Sequence, residues 1–146
     1  MTVPHEGEMA LLPPLLAWLE RHRRIRSDTV LALELPWFGR RVDFVTLTAT
    51  RRTTAYEFKL GDNRRAIEQA AYNALSFDSS YVVTGTMPSP ELIELAERHD
   101  VGMIVIHSDS EDPVTIVRAA GRPWGGSVRK RLLTAIRELG IESAHV

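Results

Sequence analysis

The chain contains no cysteine. Disulfides, thiolate zinc sites and a cysteine nucleophile are therefore excluded together, which is compatible with a reducing compartment. It also lacks an apolar run of the roughly 18 residues that a membrane span requires. Its start, Met1-Thr2-Val3-Pro4-His5-Glu6, has no basic segment ahead of an apolar one. No membrane helix and no signal peptide are expected, and the expected setting is the cytoplasm. Internal repeats and low-complexity stretches are missing as well. Lysine is scarce, at 2 residues against 16 arginines. Net charge is −1, which argues against binding nucleic acid by bulk charge alone.

The 146 residues fit one domain, and a chain of that size buries roughly 70% of its unfolded surface without covalent staples. A single domain over 1–146 is expected, with a core over about 10–107 and a C-terminal strand and helix over 113–140. Its charge is unevenly spread. Arg21 to Arg65 holds ten Arg and one Lys against five acids, whereas Thr86 to Pro113 holds seven acids against Arg98. A positive half beside an acidic half suits local phosphate binding, although an arginine-rich composition alone also produces it.

Helical spacing of Leu12, Leu15, Leu16 and Leu19, extended by Trp18, predicts a helix over 11–25 with Pro13-Pro14 in its first turn. Strands are expected over Thr29–Leu35, Val42–Ala49 and Thr53–Leu60, with turns at Pro36–Gly39 and Thr50–Arg52. Asp62-Asn63 offers an N-cap for a helix from about Arg64 to Phe77. A strand (80–84), a helix (90–99), a strand (101–107), an edge strand (114–118), a flexible 121–127 segment and a helix (128–139) complete the chain. The implied fold is α/β, a mixed central sheet flanked by helices with core order α-β-β-β-α-β.

Strand alternation points Glu57 and Lys59 the same way. A three-residue loop Thr50–Arg52 makes paired residue numbers sum to 102, which sets Asp43 opposite Lys59 and Val45 opposite Glu57 on that face. Val42 and Phe44 then meet Leu60 and Phe58 on the other. A two-residue loop would separate Asp43 from Glu57, and the apolar segregation favours the odd, bulged turn. One hairpin earlier, a loop over Trp37–Arg40 makes pairs sum to 77 and sets Glu34 opposite Asp43. Three carboxylates and a lysine on one face are costly unless neutralised. A divalent cation does this, and carboxylate oxygens with waters are the ligands that Mg²⁺ prefers, with Mn²⁺ the alternative. Phosphodiester hydrolysis uses that chemistry, with Lys59 stabilising developing negative charge.

Val42-Asp43, thirteen residues and then Glu57-Phe58-Lys59 resemble the D-x(n)-(D/E)-x-K signature of PD-(D/E)XK, or restriction-endonuclease-like, nucleases. Ile67-Glu68-Gln69-Ala70-Ala71-Tyr72 followed by Ser80-Tyr81-Val82-Val83 is similar to Holliday-junction-resolvase-like members, and Glu34 to Asp43 resembles the lead-in to the Asp strand. The resemblance covers roughly Val30 to Thr84. It implies Asp43 and Glu57 as metal ligands, the Phe58 carbonyl as a further ligand, Lys59 as the catalytic lysine, and Gln69 as a residue that supports the site or touches nucleic acid. Val42 stands where the family often has proline. Glu8, Glu20 and Glu34 compete to be the family's early acid, and strand pairing favours Glu34.

Arg41, Arg64, Arg65, Arg129 and Lys130 are candidate nucleic-acid contacts, against the alternative of solvated basic faces. Trp37 and Phe38 at a turn tip are placed to stack on bases or to pack internally. The five histidines have no ligand spacing. The expected activity is metal-dependent cleavage of nucleic acid, most readily DNA, by a homodimer or with a partner protein. The competing expectation is a binding or assembly module of the same fold that does not cleave.

Overall fold

The computed structural model describes residues 6–61, 64–107, 112–119 and 126–145. The Asp62-Asn63 cap and most of the 121–127 segment lie outside these. The elements are α1 (Glu6–Met9), α2 (Leu12–Arg21), β1 (Val30–Trp37), β2 (Arg40–Leu47), β3 (Thr53–Lys59), α3 (Arg64–Asn73), β4 (Ser79–Thr84), α4 (Pro90–Arg98), β5 (Gly102–Val105), β6 (Val114–Val117), α5 (Gly126–Leu139) and β7 (Ile141–Glu142), followed by a 3₁₀ turn at Ser143–His145.

Seven strands form one mixed sheet in the order β6-β5-β4-β3-β2-β1-β7. β1, β2 and β3 meander antiparallel, β3-β4-β5 run parallel through helical crossovers, and β6 and β7 close the edges antiparallel. The expected α/β class and its α-β-β-β-α-β core are the observed ones. The first helix stops at Arg21 rather than continuing to Ile25, because Arg23 adopts a left-handed backbone (φ 55°). The short elements α1 and β7 carry too few periodic residues to stand out in the sequence.

Each face of the sheet has its own core. Leu15, Trp18 and Leu19 of α2 pack on Phe44, Tyr56, Phe58 and Val83. On the opposite face, Leu132, Leu133 and Ile136 of α5 cover Ala32, Val45 and Leu47, and Ala66, Ile67 and Ala70 of α3 cover Val82 and Met103 beside α4. Glu57 pairs with Val82, so it stands on the side of α3 and α5.

The β1–β2 partners sum to 77, as expected, from Val30↔Leu47 to Trp37↔Arg40. The connecting turn is tighter than the expected Trp37–Arg40 loop. Only Phe38 and Gly39 form it, both with left-handed backbones (φ 48° and 73°), the type I′ geometry that matches strand twist. The β2–β3 partners sum to 100 rather than 102. The three-residue loop is present, but it is Ala49–Arg51, closed by the Thr48 N–H on the Arg52 carbonyl (3.0 Å) with Arg51 left-handed (φ 67°). Moving a loop by one residue changes the sum by two, so every side chain keeps its face. Asp43 therefore falls at the level of Glu57 rather than Lys59.

One position interrupts the β1–β2 ladder. Glu34 has φ 52°, and no Glu34–Asp43 pair lies between Leu33↔Phe44 and Leu35↔Val42. Alternation breaks there. Phe44 belongs to the α2-side core, but Val42 and Leu35 join Val45 and Ala32 on the α5 side. The expected pairing of Val42 with Leu60 fails because the observed register sets position 42 at the level of 58 and the ladder ends at Phe44↔Tyr56, and Leu60 is exposed. The hairpin end thus swings toward α3 and α5, carrying Trp37, Phe38 and Arg40 with it.

Candidate functional site

The β2–β3 ladder ends at Phe44↔Tyr56. Beyond it the strands part, and the Asp43 side chain takes the place of a strand partner: its Oδ2 accepts the Phe58 backbone N–H at 2.9 Å. Asp43 and Glu57 are in side-chain hydrogen-bond contact. Glu57 is only 4% exposed. Its pKa is pushed up to about 8, first by burial, then by the charge of Asp43 and the hydrogen bond with it. A hydrogen bond from Asn73 and the charge of Arg40 pull in the opposite direction.

Asn73 fixes Glu57 from α3. Its Nδ2 donates to Glu57 Oε1 at 2.9 Å, and its Oδ1 accepts from Arg40 Nη2 at 2.7 Å. The same Arg40 nitrogen donates to the Gln69 carbonyl (3.3 Å), and the guanidinium lies 5.0 Å from the centre of the Tyr72 ring. The result is a chain Arg40–Asn73–Glu57–Asp43 linking α3 to both strands. Gln69, expected from the sequence to support the site, contributes its main chain to Arg40; the amide side chain that reaches Glu57 is Asn73, one turn later. Asn73 was legible in principle, because it completes the buried stripe Ala66, Ala70, Asn73 at helical spacing, and a polar side chain on such a stripe needs a partner.

Lys59 is half-buried on the same strand face as Glu57. Among the described residues it has no hydrogen-bond or ion-pair partner. Glu34 lies across the hairpin from Asp43, and its Oε1 is buried without a hydrogen-bond partner. The expected three-carboxylate cluster is not assembled: among the described residues, no three His, Cys, Asp or Glu side chains group closely enough to hold a metal by themselves. Glu20 is exposed on α2. Glu8 is half-buried on α1, near the Lys59 end of β3, where a Cβ added to Gly7 would meet Leu60 Cδ1 at 2.9 Å.

Asp43 and Glu57 are the residues that could hold a divalent metal. Mg²⁺ is usually held by one or two carboxylates, with waters and substrate phosphate oxygens completing its shell. Asp43 and Glu57 are two such carboxylates, pressed together with no cation in direct contact. Burial first, and then the charge of Asp43, raise the Glu57 pKa, and a divalent ion bound there would offset both.

The candidate basic contacts divide. Arg41, Arg64, Arg65 and Lys130 are exposed, with Arg64 loosely paired to Glu68 at 3.9 Å. Arg129 is committed elsewhere. Its guanidinium grips the buried carboxylate of Asp78 (3.0 and 3.2 Å) and the Arg51 carbonyl. Asp78 in turn accepts from Thr53 N and Oγ1 at 2.8 and 3.1 Å. This cluster sits at the start of β3, six strand residues or roughly 20 Å from Lys59, so Arg129 is a fold contact and not part of the candidate site.

No protein-family model matches the chain, and no curated protein does. Solved structures do share its fold. A protein of unknown function from Silicibacter pomeroyi superposes with a TM-score of 0.61 at 16% identity, over 94% of this chain and 87% of that one. A repair endonuclease from Pyrococcus abyssi superposes with a TM-score of 0.51 at 16% identity, over 73% of this chain and 49% of that one. The chain thus spans about half the length of that endonuclease. Among the described residues, no helix is long and apolar enough to cross a membrane.

Proposed function

We propose that the protein is a metal-dependent nuclease of the PD-(D/E)XK type that hydrolyses phosphodiester bonds, with DNA as the substrate. The observation that carries this reading is the contact between the Asp43 and Glu57 carboxylates where β2 and β3 part, with Lys59 two residues along β3 on the same face. The nuclease-like fold of the Pyrococcus abyssi repair endonuclease supports it.

In this reading Asp43, Glu57 and the Phe58 carbonyl hold Mg²⁺, or Mn²⁺ in its place. When bound, such an ion would supply Lewis acidity toward a phosphate ester and water. The chain's own residues do the rest. Arg40 and Asn73 hold the Glu57 carboxylate in one rotamer. The Phe58 N–H fixes one Asp43 oxygen. Lys59, free of internal partners among the described residues, places its ammonium against the phosphate and stabilises the charge that builds up as the P–O bond breaks. Arg41, Arg64 and Arg65 contribute exposed positive charge for the backbone. A small domain of this kind reaches the second strand of a duplex as a homodimer or through a partner protein.

A specific observation favours a second reading. Glu57 is buried and already hydrogen-bonded to both Asn73 and Asp43, an arrangement that a non-cleaving module of the same fold could keep for stability. Glu57→Gln separates the two, because it preserves shape and burial while removing the charge. The nuclease reading predicts that Mg²⁺-dependent cleavage disappears in this variant; retained cleavage sinks it.

A further inference from the structure

The displaced β1–β2 hairpin creates a cavity of about 480 Å³ against the end of α3 and the start of α5, lined by Trp37, Phe38, Arg40, Tyr72, Asn73 and Leu75 among others. We propose that this cavity receives an unpaired nucleobase, so that the preferred substrate is nucleic acid with a single-stranded or frayed segment. The proposal rests on the nuclease reading and names its substrate class.

Four features converge. First, the surface is aromatic and well exposed: Phe38, Tyr72 and Leu75 are 62%, 64% and 60% exposed, an apolar cluster of the sort that marks a binding site. Second, it is held there against local cost. Phe38 sits at φ 48° at the turn tip, a position where Asn or Asp is the ordinary choice and where a bulky residue is strained. Third, its charge has one sign among the described residues. Arg40 is the one charged residue of these that lines the cavity, and guanidinium groups lie over two of the rings, Arg40 over Tyr72 at 5.0 Å and Arg131 over Phe38 at 5.6 Å. Fourth, the indole of Trp37, which lines the cavity, keeps a buried N–H that has no acceptor among the described residues.

A ligand that satisfies all four has a flat face for the rings, hydrogen-bond acceptors on its edge and a negative charge for the arginines. A nucleotide has these, and aromatic stacking on bases is tolerant of sequence. Within a duplex both faces of a base are already stacked, so only an unpaired base can offer one. Position agrees with function, because Asn73 both lines the cavity and holds Glu57. A base seated here lies one side chain away from the candidate metal ligands.

The test is fluorescence anisotropy in EDTA, so that binding is read without cleavage, using a labelled single strand, a blunt duplex of the same sequence, and an abasic strand of equal length. Phe38→Ala and Tyr72→Ala remove exposed rings, and circular dichroism verifies that each variant folds. Each variant is expected to weaken single-strand binding about 5- to 150-fold and duplex binding less than about twofold. The abasic strand is expected to bind wild type as weakly as the variants bind the normal strand. Equal losses on both nucleic acids, no loss on either, or a wild type that binds neither would each overturn the proposal. A wild type that cleaves but ignores both rings refutes the subsite and leaves the nuclease reading standing. One that binds single strands through both rings but cleaves nothing does the reverse.

Discussion

Asn73 and Glu57 are joined by a 2.9 Å hydrogen bond across the space between α3 and β3. It is the only side-chain bond given to Glu57 from a helix among the described residues, and the other end of the Asn73 amide is held by Arg40. The orientation of a buried carboxylate thus depends on a residue 16 positions away in sequence.

Replacing Asn73 by alanine leaves Glu57 less well satisfied and frees Arg40. The expected loss of stability is about 1–3 kcal/mol, read from the urea midpoint. Because Asn73 positions Glu57, cleavage should fall through kcat with KM little changed, and Asn73→Gln should restore little, since its longer arm cannot span the same 2.9 Å contact. An equal fall for an unrelated destabilising core variant would assign Asn73 a purely structural role.

The pH dependence of stability carries the signature of the carboxylate pair. Burial and the charge of Asp43 raise Glu57 from its ordinary 4.5 to about 8. The folded state therefore holds its proton more tightly than the unfolded state. That contribution is fully present below about 4.5 and is lost as pH rises through about 8. Metal-free wild type is expected to be less stable at pH 9 than at pH 6, whereas Glu57→Gln removes this part of the slope. Denaturation midpoints across that range check it, and superimposable slopes for the two proteins would contradict the pairing. Added Mg²⁺ should raise Tm more at pH 9 than at pH 6, because at low pH it must displace a proton.

Arg129 is expected to matter for folding rather than for nucleic acid. Arg129→Ala strands a carboxylate whose side chain is 3% exposed, at a cost of about 3 kcal/mol. The salt dependence of nucleic-acid binding should stay as in wild type, because no phosphate contact is lost. A shallower salt slope in the variant would place Arg129 on the phosphate backbone after all.

The sequence and the structure agree where chain geometry is local and periodic. The β1–β2 register is legible because residues 37 and 40 pair around a symmetric turn, and the expected four-residue loop and the observed two-residue turn share one sum. The β2–β3 register is off by two because Ala49 rather than Arg52 enters the loop. Parity protects the shared face of Glu57 and Lys59, and Asp43 reaches Glu57 through its side chain. What could not be read was the break at Glu34, since a glutamate with φ 52° has no compositional mark as glycine or asparagine would. That break displaces the hairpin, and it is why Arg40 and Phe38 meet α3 and α5. Asn73 was missed for another reason. The sequence resemblance points to Gln69, but only the register between α3 and β3 decides which amide reaches Glu57.

The central claim is metal-dependent cleavage, and Lys59→Ala tests it most directly, because Lys59 has no internal partner among the described residues whose loss could disturb the fold. Wild type and variant should be incubated with single-stranded, duplex, flapped and junction DNA and with RNA, each in Mg²⁺, Mn²⁺ or EDTA. The expected result is cleavage by wild type that EDTA abolishes and that the variant loses at unchanged Tm. Cleavage that survives in Lys59→Ala, or none by wild type on any substrate with either metal, would contradict it.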